Sequence, residues 1–153
     1  IHDKTLHAIR SGFTLSQFEQ AVTDLHKRNI PVITHLILGL PGETKEDMLF
    51  SVRYVGSLPV TGIKLQLLHI LKGTDLGTAY MADPFPLFTL EEYCDLIADC
   101  IALLPPEIVI HRLTGDGPRN LLLAPLWSTD KKRVLNTIQK CLRERDLWQG
   151  KNI

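Results

Sequence analysis

The stretch from Ile30 to Thr44 constrains this chain most, because it joins a strand pattern, a glycine-rich turn and a helix-capping residue. Residues 30–38 are almost all apolar or β-branched, which is typical of a strand covered on both faces. The sequence GLPG at residues 39–42 then breaks the strand, since glycine adopts backbone angles that other residues avoid and proline donates no hydrogen bond. Thr44 is placed to cap a helix. The stretch therefore predicts one βα unit, and α/β proteins bind ligands at such turns.

The composition fits one domain, residues 1–153, because 44% of the residues are hydrophobic and a chain of this length can form a core. Seventeen basic and seventeen acidic residues give a formal net charge of zero, which argues mildly against a bare nucleic-acid-binding surface. Three cysteines without a CxxC pair indicate a reducing compartment, so we expect a cytoplasmic protein. No run approaches the roughly 18 to 20 apolar residues that cross a bilayer, and we expect no membrane partner.

Helices and strands are expected to alternate along the chain after a short helical turn in residues 1–12. The expected helices begin near Thr14, Thr44, Thr89 and Thr129, and the expected strands cover about residues 31–38, 62–68 and 107–111. The first three of these helices open with Thr followed three residues later by Gln, Asp or Glu, which is the spacing of a capping box. Two long segments remain: residues 69–88, with a short helix expected over 76–81, and the polar, glycine-rich and then apolar residues 112–127.

This alternation predicts an α/β fold with parallel strands and right-handed crossover helices. Three strands are too few to close a sheet, and a full (βα)8 barrel needs about 250 residues. We therefore predict a partial TIM-type (βα) barrel, about half of a complete one. Its free strand edges and apolar faces favour self-association.

Polar and glycine residues follow each expected strand, at residues 39–43, 69–74 and 112–119. The carboxyl ends of parallel strands meet at one edge of a sheet, which is where α/β proteins bind ligands. The loops that enter the strands contain only ordinary turn residues. This asymmetry predicts a binding site at the carboxyl edge.

Each candidate also has a purely structural interpretation. The turn at 39–43 either accepts a ligand against bare backbone or is only a tight turn. His35 is either a catalytic residue or a satisfied core histidine. His69, Lys72 and Thr74 either contact a carboxylate or phosphate, or Lys72 is only a solvated lysine beside a glycine turn.

The most polar group is formed by Arg112, Asp116 and Arg119. Arginine suits two-pronged contact with a carboxylate or phosphate, and the alternative is an ion pair closed within the loop. The three cysteines, by contrast, have no Cys or His partners at metal-ligand spacing, so no metal site is expected from this chain alone. They are Cys94, Cys100 and Cys141.

Three segments together resemble radical S-adenosylmethionine (radical SAM) enzymes. HLILGLPGET at residues 35–44 is similar to their fifth-strand segment, and KLQLLHILKGTDL at 64–76 is similar to the sixth strand with its loop. IHRLTGDGPRNLLLAPLW at 110–127 resembles the YhcC-type branch, near the Elongator catalytic-subunit and coproporphyrinogen-dehydrogenase-like groups.

The resemblance implies a partial (βα)6 barrel in which a [4Fe-4S] cluster, held by a CxxxCxxC loop, cleaves SAM to start radical chemistry on a substrate. It implies SAM contacts by Ile37, Gly39, His69, Ile70, Leu71 and Lys72. It also implies substrate-facing positions for His35, Arg112, Asp116 and Arg119, with a tRNA or another macromolecule as a substrate by analogy.

CxxxCxxC is absent from this sequence, and the first residue is Ile. We therefore expect the chain to be the C-terminal half of such an enzyme, with the cluster ligands in an N-terminal part, and to be inactive alone. The alternative is a non-catalytic half-barrel that binds a nucleotide, an anion or a partner.

Overall fold

The computed structural model describes residues 1–115 and 117–153. The helices are α1 (Asp3–Ala8), α2 (Leu15–Lys27), α3 (Lys45–Ser57), α4 (Asp75–Ala82), α5 (Leu90–Ala102) and α6 (Lys131–Glu144). The strands are β1 (Ile33–Leu38), β2 (Gly62–Leu67), β3 (Ile70–Leu71), β4 (Val109–Arg112) and β5 (Leu122–Ala124), and a 3-10 helix covers Leu126–Thr129.

The main sheet is parallel and has the order β1-β2-β4. Strands β1 and β2 pair along their whole lengths, from Ile33 opposite Gly62 to Leu38 opposite Leu67. The pairing of β4 with β2 shifts by one residue, which leaves His111 as an extra residue in a bulge. The predicted parallel α/β arrangement is therefore confirmed, and within the described ranges the sheet does not close into a barrel.

The predicted capping boxes at the starts of α2, α3 and α5 are all present. In each, the threonine side chain accepts a hydrogen bond from the N–H three residues later, and that residue's side chain accepts from the threonine N–H. The predicted start of the last helix at Thr129 is wrong by one residue. Asp130 caps α6 by accepting from Arg133 N, because Thr129 lies in the 3-10 helix that precedes it.

The core lies on one face of the main sheet. Ile63 and Leu65 of β2 are fully buried there, together with Val52 of α3 and Ile97 of α5. Helix α6 packs on α5 with one buried stripe that contains Val134 and Ile138. The sheet and its helices thus form two layers with α6 outside them.

The opposite face of the sheet is open. Ile33 and Ile37 of β1 are 42% and 40% exposed, and Val109 of β4 is 57% exposed. The prediction that β1 is covered on both faces is therefore wrong. In the described part of the chain, the helices pack on the other side, so alternate β1 residues face outward.

A second, two-stranded sheet was not predicted. Strands β3 and β5 pair antiparallel and form a small core around Leu68, Ile70 and Ala124. Helix α4, which agrees with the helix expected over residues 76–81, adds Leu76 and Tyr80 to this core. Residues 1–115 and 117–153 contain no helix that is long and apolar enough to cross a membrane.

Candidate functional site

The turn after β1 is fixed by a glycine and by two side chains. Gly39 has a φ of +87°, and a Cβ atom there would lie 3.2 Å from the ring of Phe88. The Gly39 N–H donates to Met48 Sδ at 3.1 Å, which ties the turn to α3. A side chain at position 39 would therefore strain the backbone and push on Phe88.

This turn lines a cleft of about 580 Å³ at the carboxyl edge of the sheet. Residues 85–88 also line it, and α3 and α5 add Lys45, Glu92 and Asp95. Clefts that bind small molecules usually measure about 300–1,000 Å³ and combine apolar walls with a few polar groups. The cleft therefore has the size and lining of a small-molecule site.

A second cavity, of about 540 Å³, brings His69 together with Arg119. The ring of His69 lies so close to the backbone that a Cβ atom at Gly115 would be 2.4 Å from it. The Arg119 guanidinium donates to the Thr129 carbonyl at 3.0 Å. Lys131 and Lys132 also line the cavity, so it is rich in cationic side chains.

The segment after His69 is split between core and solvent. Ile70 is fully buried in the small core, Leu71 is half-buried, and the side chain of Lys72 is exposed. The Lys72 N–H donates to the Leu121 carbonyl at 2.7 Å, which fixes the backbone here. Of the candidates in this segment, only Lys72 presents a charge to solvent.

The remaining candidates meet on the open face of the sheet. His35 is exposed beside Ile37, so the alternative interpretation of His35 as a core histidine is wrong. His35 lies opposite Lys64 in the register, and Lys64 lies opposite Arg112. Partial desolvation lowers the pKa of His35, and the charges of Lys64 and Arg112 lower it further. Asp116, the last candidate, lies outside the described residues.

The predicted set of site residues omitted Lys64 and Phe88. The alternation in residues 62–67 already places Lys64 on the face opposite the buried Ile63 and Leu65, so the signal was present. No sequence pattern predicts that Phe88 lies beside Gly39, because this position depends on tertiary contacts. Trp127 Nε1 donates to the Phe88 carbonyl at 3.0 Å, and this bond joins two segments far apart in sequence.

Cys94 and Cys100 lie on α5, and Cys141 lies on α6. Burial raises the pKa of Cys94 and of Cys100 to about 12. The thiol of Cys141 donates to Asp95 Oδ1 at 2.9 Å. Among the described residues, no group of three or more His, Cys, Asp or Glu side chains is arranged to hold a metal ion.

These features define an α/β domain whose polar and glycine-rich loops gather at the carboxyl edge of a parallel sheet. The Radical_SAM C-terminal domain family matches residues 60–144, more than half of the chain, and the chain belongs to this family. The resemblance that the sequence motifs suggested is therefore confirmed.

Relatives match nearly the whole chain but extend well beyond it. The uncharacterized protein YtqA of Bacillus subtilis is 37% identical over 151 residues, which are 99% of this chain and 47% of YtqA. Protein YhcC of Escherichia coli is 35% identical over 94% of this chain and 46% of its own length, which confirms the likeness to the YhcC-type branch. The chain thus spans about half the length of these relatives.

A more distant relative and a solved structure complete the comparison. A tRNA uridine(34) acetyltransferase of Dehalococcoides mccartyi is 26% identical over 95% of this chain and 34% of its own. The structure of Elp3 from Methanocaldococcus infernus, with an N-terminal deletion, superposes with a TM-score of 0.81 at 17% identity. It covers 97% of this chain and 35% of the Elp3 chain, and the two share a fold.

Proposed function

We propose that this chain is the SAM-binding and substrate-facing part of a radical SAM enzyme, which uses a [4Fe-4S] cluster to cleave SAM and start radical chemistry. The observation that carries the proposal is the position of the Gly39 turn. In a member of the radical SAM C-terminal domain family, this turn lines a cleft at the carboxyl edge of the parallel sheet.

Of the proposed contacts to the adenosine part of SAM, Gly39 lines this cleft, Ile37 lines a different cavity of about 260 Å³, and His69 lines the second cavity. The side chain of Ile37 is 40% exposed on the open face just before the turn and offers an apolar surface to a flat ring. The space where a Cβ atom of residue 39 would lie is bordered by the ring of Phe88, 3.2 Å away. His69, Ile70 and Leu71 follow the neighbouring strand, and their backbone flanks the same edge. Ile70 contributes through its backbone only, because its side chain is fully buried.

Lys72 is the candidate for an anionic group of the cofactor or the substrate. Its ammonium group is exposed, and a charge-assisted hydrogen bond to a carboxylate is stronger than a neutral one. When bound next to a reduced cluster, SAM supplies the radical chemistry. The residues of this chain bind and orient it.

The residues of this chain do not fit the cluster itself. Cys94 and Cys100 are buried, and among the described residues no group of three or more His, Cys, Asp or Glu side chains is arranged to hold a metal ion. The proposal therefore assigns the cluster ligands to cysteines outside this sequence, and the chain alone is expected to be inactive.

The open face of the sheet is proposed to be the inner wall of a partial (βα)6 barrel, of which this chain forms about half. The proposal is supported by the exposed residues Ile33, Ile37 and Val109, which are apolar positions of a kind that barrel interiors bury. It also agrees with the length of the chain, about half that of YtqA and YhcC.

A tRNA is the proposed substrate class. One relative is named as a tRNA uridine(34) acetyltransferase, and the cationic side chains of Arg112 and Arg119 follow a strand end where a substrate would enter. Arginine binds phosphates with a planar pair of donors. The formal net charge of zero gives this proposal no further support.

Equilibrium binding of SAM to the purified protein tests the proposal. Replacement of Ile37 by Asp places a charge where the adenine would lie and is expected to weaken binding by about tenfold or more, measured by calorimetry. The matched control is Ile33→Asp, because Ile33 is equally exposed on the same strand but far from the turn. Absence of SAM binding, or equal loss in both variants, would contradict the proposal.

A further inference from the structure

Three basic side chains form a row across the open face of the sheet. His35, Lys64 and Arg112 come from three different strands and are paired in the backbone register, His35 with Lys64 and Lys64 with Arg112. Neighbouring strands lie about 4.8 Å apart, and directly opposite side chains on one face are close enough to interact. We refer to these three residues as the basic row.

The basic row is an unfavourable arrangement for the sheet by itself. Like charges directly opposite each other destabilise strand pairing, and Lys64 lies directly opposite Arg112 in the register. Lys64 and Arg112 are also half-buried, so water screens their charges incompletely. In the part of the chain that the structure describes, neither Lys64 nor Arg112 takes part in an ion pair with a carboxylate.

A bulge in β4 sets the position of Arg112 relative to Lys64. The register shift places Arg112 opposite Lys64 and leaves His111 as the extra residue. The ring of His111 lies over Gly62, because a Cβ atom there would be only 2.7 Å from it. Bulges often re-aim side chains next to binding sites, and this bulge brings Arg112 into register with Lys64.

We propose that the basic row is a binding site for an oxyanion, a carboxylate or a phosphate, carried by the substrate of this protein. Lys64 in the centre supplies the main charge, the Arg112 guanidinium supplies paired donors, and His35 supplies a neutral donor at the rim. The inference rests on the proposed function only in naming the ligand as the substrate. The lowered pKa of His35 agrees with it, because Lys64 and Arg112 act on this ring together.

The test uses simple anions as probes and the purified protein without added SAM. NMR titration with inorganic phosphate and, separately, with acetate should show saturable shifts of the His35 ring signals. Lys64→Met keeps the apolar stem and removes the charge, so it should weaken anion binding by about tenfold or more. The matched control is Lys140→Met, because Lys140 is exposed on α6 and lies outside the basic row. Tighter binding of phosphate than of acetate would identify a phosphate group, and the reverse order a carboxylate.

The unfolding temperature of Lys64→Met shows whether weaker anion binding comes from a folding defect. Without an anion, Lys64→Met should unfold at a higher temperature than the unaltered protein, because the substitution removes like-charge repulsion. A lower unfolding temperature would mean that Lys64 is paired with a carboxylate of the protein, which overturns the proposal.

Two further results would overturn the inference without touching the proposed function. One is the failure of both anions to bind while SAM still binds. The other is weaker SAM binding by Lys64→Met with unchanged anion binding, which would assign the row to the cofactor. Retained anion binding with no SAM binding would instead contradict the proposed function and leave the basic row as an anion site.

Discussion

At the scale of single residues, the site depends on neighbours across strands. His35 is flanked by Lys64 in the register, and Lys64 by Arg112. Desolvation and these two charges all oppose protonation of the His35 ring, so its pKa lies below the usual value of 6.5. His35 is therefore expected to be neutral at pH 7 in the free protein.

The titration of His35 is the first prediction. Lys64→Met should raise the pKa of His35 toward 6.5, measured from its ring signals by NMR, whereas Lys140→Met should leave it unchanged. The lowered pKa of His35 also determines how the stability of the fold changes with pH. The folded state binds this proton less readily than the unfolded chain, so the stabilising contribution is present above pH 6.5 and is lost as the pH falls through the folded-state pKa. A His35 pKa that does not respond to Lys64→Met would contradict the proximity of the two residues.

The backbone of the β1 turn gives the second prediction. Gly39→Ala should destabilise the protein by more than the roughly 1–2 kcal/mol expected for the left-handed backbone alone, because the new Cβ would lie 3.2 Å from Phe88. Gly73→Ala is the matched control, since Gly73 has a φ of +81° and a Cβ atom there would have no neighbour within 4 Å among the described residues. Urea unfolding measures both values. Equal losses would show that the Phe88 contact has no energetic effect.

At the scale of secondary structure, one carboxylate of α5 forms ion pairs with a residue of α3 and with the residue that follows α6. Asp99 accepts Lys45 Nζ at 2.6 Å and Arg145 Nη2 at 2.5 Å, and its side chain is only 16% exposed. The same face of α5 lies near the cleft, which Lys45 also lines. This contact therefore helps to position the first turn of α3, which follows the Gly39 turn.

Loss of this carboxylate is the third prediction. Asp99→Asn should lower the free energy of unfolding by about 1–3 kcal/mol, because Lys45 and Arg145 both lose this partly buried carboxylate, although Arg145 keeps its contacts with Asp95. Asp24→Asn should change it by less than about 0.5 kcal/mol, since Asp24 is paired with Lys27 at 3.9 Å on an exposed surface. Thermal or chemical unfolding compares the two. Similar effects would mean that Asp99 contributes no more than an ordinary surface ion pair.

The helices were predicted better than the strands, for a local reason. A capping box is written in four consecutive residues, so Thr14, Thr44 and Thr89 marked three helix starts correctly. Strands β3 and β5 have two and three residues, which is too short for a periodic pattern, and their pairing joins segments about fifty residues apart. The open face of β1 was missed because apolar residues occur at both alternating sets of positions in that strand, which is typical of a strand buried on both faces.

The positions of several candidate residues at strand ends were predicted, whereas their grouping in space depended on pairing register; their binding of a ligand stays a prediction. The sequence placed the Gly39 turn, His69 and Arg112 at strand ends, as the structure does. Separation of these residues into a cleft, a cationic cavity and the open face needed the tertiary structure. That His35 lies opposite Lys64 could not be predicted, because patterns in a single sequence do not determine the register of two strands.

At the scale of the whole molecule, the open face and the edges of β1 and β4 are the main unsatisfied features. In the described ranges, only β2 pairs with each of these two strands. Exposed edges with apolar neighbours such as Ile33 and Val109 favour association with another strand or another copy.

The fourth prediction is that the 153-residue chain on its own self-associates. Sedimentation velocity should show a concentration-dependent increase in mass, and Ile33→Lys combined with Val109→Lys should reduce it by placing charges on the open face. Lys substitution at Leu135, an exposed apolar residue on α6, is the matched control. A monomer at all concentrations would show that the open face needs no cover.

The central claim is that this chain binds and orients SAM in a radical SAM enzyme, and formation of 5′-deoxyadenosine tests it most directly. The full-length protein that contains this chain is purified without oxygen, reduced and incubated with SAM, and the product is quantified by chromatography. The account predicts 5′-deoxyadenosine in the unaltered protein and at least about a tenfold lower yield in Ile37→Asp, with Ile33→Asp unaffected. SAM that is bound but never cleaved by a reduced full-length protein would contradict the account and favour a non-catalytic binding module.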